Sequence, residues 1–173
     1  MQELQLGNFK AAAQLFERWK GVLYNFFLRQ TADRDLAEDL TQSAFERMIK
    51  YRKSYRTDLA FRAWIFQVAR NLLFSNQKKV QSRAKAMADF TPRGNMVQRG
   101  IDRELEDRED KAKLWKAMEQ LSPEYREVLL LTKIQKIPYQ EVGEILNCKE
   151  GAVKVKVHRA MAKLKVIFTS LAD

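Results

Sequence analysis

The sequence predicts an all-α fold: two small helical domains joined by a flexible linker, the C-terminal one a helix-turn-helix. Three observations predict it. Apolar residues recur at steps of three and four almost throughout, the spacing of one face of a helix, and no alternating β-branched run reads as a strand. The pattern lapses between residues 84 and 110, where Pro92, Gly94 and Gly100 precede a mixed-charge run from Asp102 to Asp110. Near the C-terminus, a short apolar-faced helix, a tight turn and a helix with a cationic face follow one another. The boundaries read as 1–83, 84–110 and 111–173.

The first helix is carried by Phe9, Ala12, Ala13, Phe16, Trp19 and Leu23, continuing through Phe26, Phe27 and Leu28. Asp33 can cap the next helix, because its carboxylate can accept from amides left free at a helix start. That helix has the stripe Leu36, Leu40, Ala44, Phe45, Met48. A basic, aromatic loop follows, Tyr51 to Asp58. Its arginines and lysine can track phosphate and its tyrosines can stack on bases; an ordinary surface loop with two half-buried tyrosines fits the same residues. The third helix buries Phe61, Trp64, Ile65, Val68, Ala69, Leu72 and Leu73, with Trp64 read as core rather than as a base-stacking group.

After the linker, whose acidic part reads as a solvated helix start, Leu114, Trp115, Met118 and Leu121 make one stripe. Ser122-Pro123-Glu124 is a strong start signal: a capping hydroxyl, a proline in the first turn, and an acid near the positive end of the dipole. Val128, Leu129, Leu131 and Thr132 continue that helix. Pro138 opens the next, which has Val142, Ile145 and Leu146 on its apolar face. Gly143 costs about 1 kcal/mol relative to alanine inside a helix, and close approach of the partner helix is the expected compensation. Asn147 stands at the turn, where asparagine tolerates the left-handed conformation. Val153, Val157, Met161, Leu164 and Phe168 are the expected buried stripe of the last helix. Its other faces carry Lys154, Lys156, His158, Arg159, Lys163 and Lys165, with Val155 exposed among them.

A net charge of +10 and a pI near 9.8 favour a polyanionic partner. One cysteine, Cys148, and one histidine, His158, rule out an internal disulfide and a cysteine-rich metal site. No cofactor is expected, and no clustered acids or activated nucleophile suggest an enzyme. No signal peptide or membrane-length apolar run is present, so a cytoplasmic protein with no membrane insertion is expected. A cationic second helix behind a tight turn is the arrangement that places one helix in the DNA major groove.

Most of the chain, about residues 9 to 80 and 111 to 168, resembles the extracytoplasmic-function sigma factors of bacterial RNA polymerase. Ala37-Glu38-Asp39-Leu40-Thr41-Gln42-Ser43-Ala44-Phe45 resembles the family's polymerase-binding helix, which implies that Asp39 and Gln42 face core RNA polymerase; Ser43 departs from the usual acid. The stretch from Phe61 to Asn71 resembles the helix that recognises the minus-ten element, and the loop from Arg52 to Leu59 resembles the one that captures a flipped base. The resemblance implies minus-ten contacts from Arg52, Lys53, Tyr55, Arg56, Asn71, Ser75, Lys78 and Lys79, with Ser75 standing where a larger polar residue is common. The C-terminal module resembles the minus-thirty-five-binding domain, which implies groove contacts from Lys154, Val155, Lys156, His158 and Arg159. Lys149 stands where a better helix cap is usual, and Val155 where a serine is common.

The function so implied is that of a sigma factor: it binds core RNA polymerase, recognises promoter DNA and is held in check by an anti-sigma factor. The alternative from residues alone is a free-standing helix-turn-helix regulator with an N-terminal sensing or dimerisation domain. A recombinase-like enzyme would need an active-site constellation that these residues do not form.

Overall fold

The computed structural model describes residues 1–58, 60–86 and 105–171. The chain divides into two compact units, Met1–Val97 and Gln98–Asp173. The described residues are helical, with turns between helices and no strand.

The N-terminal unit holds α1 (Gln2–Gln5), α2 (Lys10–Thr31), α3 (Arg34–Lys50), a 3-10 turn at Arg52–Ser54, and α4 (Phe61–Ala86). Its core gathers Leu23, Phe26 and Phe27 from α2, Ala37, Leu40, Ala44 and Met48 from α3, and Ile65, Phe66 and Ala69 from α4. Aromatic rings meet edge to face: Phe26 and Phe66 are 5.0 Å apart within the core, and the exposed Phe16 lies 4.8 Å from the buried Phe45 at its edge. Such pairs add about 0.5–1.5 kcal/mol beyond the area they bury.

Asp33 caps α3 as expected, its Oδ1 accepting from the Leu36 amide at 3.0 Å. Ala32 ends α2 in the left-handed conformation, φ 54°. The expected α2 stripe needs correcting at its start. Ala11 and Ala12 are buried, whereas Ala13 is exposed and Phe9 is 58% exposed. Phe9 precedes the helix as its N-cap, and its ring lies near the Arg52 guanidinium instead of in the core. The short α1 was not anticipated, yet its Leu4 is fully buried.

α4 reaches Ala86 and α5 begins at Leu105, so helix covers both ends of the stretch read as a linker. Gln, Lys, Arg and Ala, all good helix formers, carry α4 on after its apolar stripe fades. The middle of that stretch, residues 87–104, lies outside the described residues.

The C-terminal unit holds α5 (Leu105–Glu119), α6 (Pro123–Leu129), a π-type turn at Leu130–Ile134, α7 (Tyr139–Leu146) and α8 (Glu150–Ser170). Ser122 caps α6, accepting from the Tyr125 amide at 3.4 Å, with Pro123 in the first turn. The helix expected to run on through Leu131 and Thr132 instead widens, and the Gln135 amide reaches back to the Leu130 carbonyl at 2.9 Å. Arg126 closes the end of α5: its guanidinium donates to the carbonyls of Met118 at 3.0 Å and Leu121 at 3.2 Å. Burial lowers the pKa of that guanidinium.

The buried stripe of α8 is Val153, Val157, Ala160, Leu164 and Ile167. The sequence pointed to Met161 and Phe168 for two of these places; Met161 is exposed and Phe168 half-buried. The true steps of four, three, four and three hold one face toward α5, α6 and α7, and the fully buried Ala160 lets helices come close.

Candidate nucleic-acid interface

Three faces carry the residues singled out from the sequence. The first is the solvent side of α3. Ala37, Leu40, Thr41, Ala44 and Phe45 turn into the core, which leaves Glu38, Asp39, Gln42 and Glu46 exposed. Asp39 and Gln42 are three residues apart, so they share a face. Gln42 donates its side-chain amide to Glu46 Oε1 at 3.0 Å, which adds Glu46 to that patch. The spacing of four between Gln42 and Glu46 is the signal for this pair in the sequence.

The second face is the loop and α4. The loop folds on itself more than its composition suggests. Arg52 is half-buried; its Nη1 donates to the Ile49 carbonyl at 2.9 Å, and its guanidinium lies 5.5 Å from the Phe9 ring centre. Tyr55 is half-buried, edge-on to Trp64 at 5.5 Å and to Phe61 at 6.2 Å. Burial first, and the Asp58 carboxylate second, push its hydroxyl pKa up. Arg56 grips Asp58 with two hydrogen bonds, of 3.1 and 2.6 Å, and that donation holds the Asp58 carboxyl below its ordinary range. Lys53 and Tyr51 are exposed, so of the two tyrosines only Tyr51 offers an open ring. Trp64 is core.

On α4, Asn71, Lys78 and Lys79 are exposed. The Ser75 hydroxyl turns back to the Asn71 carbonyl at 2.7 Å, which occupies its donor. Between Asn71 and Lys78 stands Phe74, 56% exposed, with the Lys78 ammonium 4.7 Å from its ring centre. An aromatic ring held under a cation on an open helix face suits stacking on unpaired bases. Phe74 was not singled out from the sequence, although it stands off the apolar stripe.

The third face belongs to α7 and α8. Asn147 adopts the left-handed conformation, φ 53°, ψ 50°, and the Cys148 amide donates to the Gly143 carbonyl at 2.8 Å. A Cβ on Gly143 would lie 2.7 Å from the Cys148 carbonyl oxygen, so the close approach here is by the backbone of the turn leading into α8. Lys149 stands at the N-cap without a side-chain cap bond. Lys154, Val155, His158 and Arg159 share the exposed side of α8, Val155 being 49% exposed. Lys154 pairs with Glu150 at 2.7 Å. Lys156 departs from the group: half-buried, it hydrogen-bonds Glu124 of α6 at 2.5 Å, and that bond raises its pKa. Its partner lies 32 residues away in sequence, beyond the reach of any local pattern.

Among the described residues no group of side chains could hold a metal ion, and no helix is long and apolar enough to cross a membrane.

Comparison with known proteins covers both units. The family Sigma-70 region 2 matches residues 15–83, and the family Sigma-70, region 4 matches residues 111–164. The ECF RNA polymerase sigma factor SigM of Bacillus subtilis is 30% identical over 155 residues, 90% of this chain and 93% of that protein. The RNA polymerase sigma factor CarQ of Myxococcus xanthus is 27% identical over 174 residues, 99% of this chain and 97% of that one. In fold, the chain is similar to the sigma factor RpoE from Bartonella quintana, solved in complex with the anti-sigma factor NepR. The TM-score is 0.78 at 22% identity, over 92% of this chain and 98% of that chain.

Proposed function

The chain belongs to the family of ECF RNA polymerase sigma factors, and on that premise we propose a residue-level division of promoter recognition between its two units. As a sigma factor it binds core RNA polymerase and directs promoter recognition and the start of transcription. In our reading the acidic face of α3, with Asp39 and Gln42 at its centre, docks on polymerase. The loop and α4 receive the minus-ten element as its strands part, through Lys53, Arg56, Asn71, Lys78 and Lys79. The exposed side of α8, with Lys154, Val155, His158 and Arg159, enters the major groove at the minus-thirty-five element.

The observation that carries the last assignment is the turn into α8. Backbone packing at Gly143 and the left-handed Asn147 fix how α8 leaves α7, and they leave one side of α8 open with its cationic groups together. Phosphate contacts from lysine and arginine supply affinity, and the groove-facing side chains supply sequence preference. Lys156 serves the fold through Glu124 rather than DNA. Arg52 and Tyr55 shape the loop, and Ser75 ties to its own helix.

The chain makes and breaks no covalent bond in this scheme. Opening the duplex draws on binding energy, since each extruded base costs a few kcal/mol of lost stacking and pairing. The protein acts in the cytoplasm, where polymerase and promoter meet. An anti-sigma factor that covered the α3 and α8 faces would block both partners at once.

Run-off transcription with purified core polymerase tests the scheme. Asn71→Ala is expected to cut transcript yield about tenfold while holoenzyme assembly stays within about twofold. Arg159→Ala is expected to weaken binding to upstream duplex by roughly 1–3 kcal/mol and to lower its salt dependence by about one ion. Equal loss of assembly and transcription by Asn71→Ala would make that residue a folding element. An unchanged salt slope would remove Arg159 from the interface.

A further inference from the structure

The N-terminal segment touches the basic loop. Leu4 anchors α1 in the core, and the side chain of Gln5 reaches across to the loop backbone. Its amide nitrogen donates to two loop carbonyls, Arg52 at 3.0 Å and Tyr55 at 2.7 Å. Those carbonyls lie on either side of Lys53 and Ser54, so one amide fixes the separation of the turn's two ends. Phe9, just beyond α1, places its ring against the Arg52 guanidinium. Within the loop, the Ser54 amide bonds the Tyr51 carbonyl at 2.8 Å and the Tyr55 amide the Arg52 carbonyl at 3.3 Å. The second is long, and the Gln5 bonds support that end of the turn.

We infer that Gln5 is a positioning residue for promoter discrimination: it holds the Arg52–Tyr55 turn in the shape that presents Lys53 and Arg56 to an extruded base. The inference rests on the loop's minus-ten role proposed above. The geometry gives it a definite chemistry. Only a side chain with two N–H donors on one nitrogen, or an ammonium, can serve both carbonyls at once. A carboxylate would face them with lone pairs alone.

Gln5→Met keeps the length and the packing and removes both donors. Holoenzyme carrying it would be challenged with a randomised pool of single-stranded DNA and the retained sequences read out, beside wild type and a Lys53→Ala, Arg56→Ala control. Base preference at the position read by the loop is expected to flatten about fivefold in Gln5→Met, with polymerase affinity unchanged. Amide exchange at Ser54 and Tyr55, followed without DNA, is expected to quicken about fivefold. A control that flattens the preference beside a Gln5→Met that does not would overturn the positioning role alone. Unaltered preference in both would overturn it together with the loop's minus-ten role. Unaltered exchange at Ser54 and Tyr55 would show that Gln5 does not hold the turn, and would overturn the inference whatever the DNA result.

Discussion

Phe66→Ala is expected to destabilise the N-terminal unit by about 3–5 kcal/mol and leave the stability of the C-terminal unit unchanged. Phe66 is fully buried, and its ring meets Phe26 at 5.0 Å and Trp19 at 6.5 Å, both edge to face. Removing a buried phenylalanine costs about 3–5 kcal/mol through lost transfer energy and the cavity left behind. A small domain holds only about 5–15 kcal/mol in all, so this loss takes much of it. The C-terminal unit buries side chains of its own, among them Ala117, Val128, Leu131, Val142, Val153 and Ala160. Chemical denaturation followed by circular dichroism is expected to give an early transition absent from wild type, with the second transition in place. A single shared transition, shifted as a whole, would mean that the units fold together.

Gly143→Ala should invert the usual effect of that substitution. In an ordinary helix interior, alanine gains about 1 kcal/mol over glycine. Here the added Cβ would meet the Cys148 carbonyl oxygen at 2.7 Å, and that oxygen is backbone, held between Asn147 and the first turn of α8. Overpacking of this kind costs about 1–3 kcal/mol, and relief can come only by moving the turn. The C-terminal unit is therefore expected to lose up to about 2 kcal/mol of stability. Upstream-duplex affinity is expected to fall more than the stability change alone implies, by about tenfold, because the same movement swings α8. Thermal melting and duplex titration on one protein sample check both. Stability raised by about 1 kcal/mol would show that the helix has room there.

What could be read from the sequence divides along physical lines. Asp33, Ser122 and Asn147 announced helix ends because caps and left-handed turns are decided within a few residues. The longer helices of the two modules followed from periodicity for the same reason. The α8 stripe was harder, because volume alone favours Met161 and Phe168 while packing selects the smaller Ala160 and Ile167. α1 was invisible: four residues are too few to show a period, and its place depends on Leu4 finding the core. At the candidate interface, Asn71, Lys78, His158 and Arg159 are exposed as their helical positions implied. Lys156, Arg52 and Gln5 are governed by partners distant in sequence or by the loop's own backbone, and no pattern of neighbours carries that information.

Titration of core RNA polymerase with the purified chain and two of its variants is the most direct measurement. Asp39→Ala combined with Gln42→Ala is expected to weaken association by about tenfold, leaving the circular dichroism spectrum unchanged, since both side chains stand in solvent. Arg159→Ala, on the other unit, is expected to associate as wild type does. Equal affinity for all three proteins would contradict the assignment of α3 to polymerase, and no association by the wild-type chain would contradict the account as a whole.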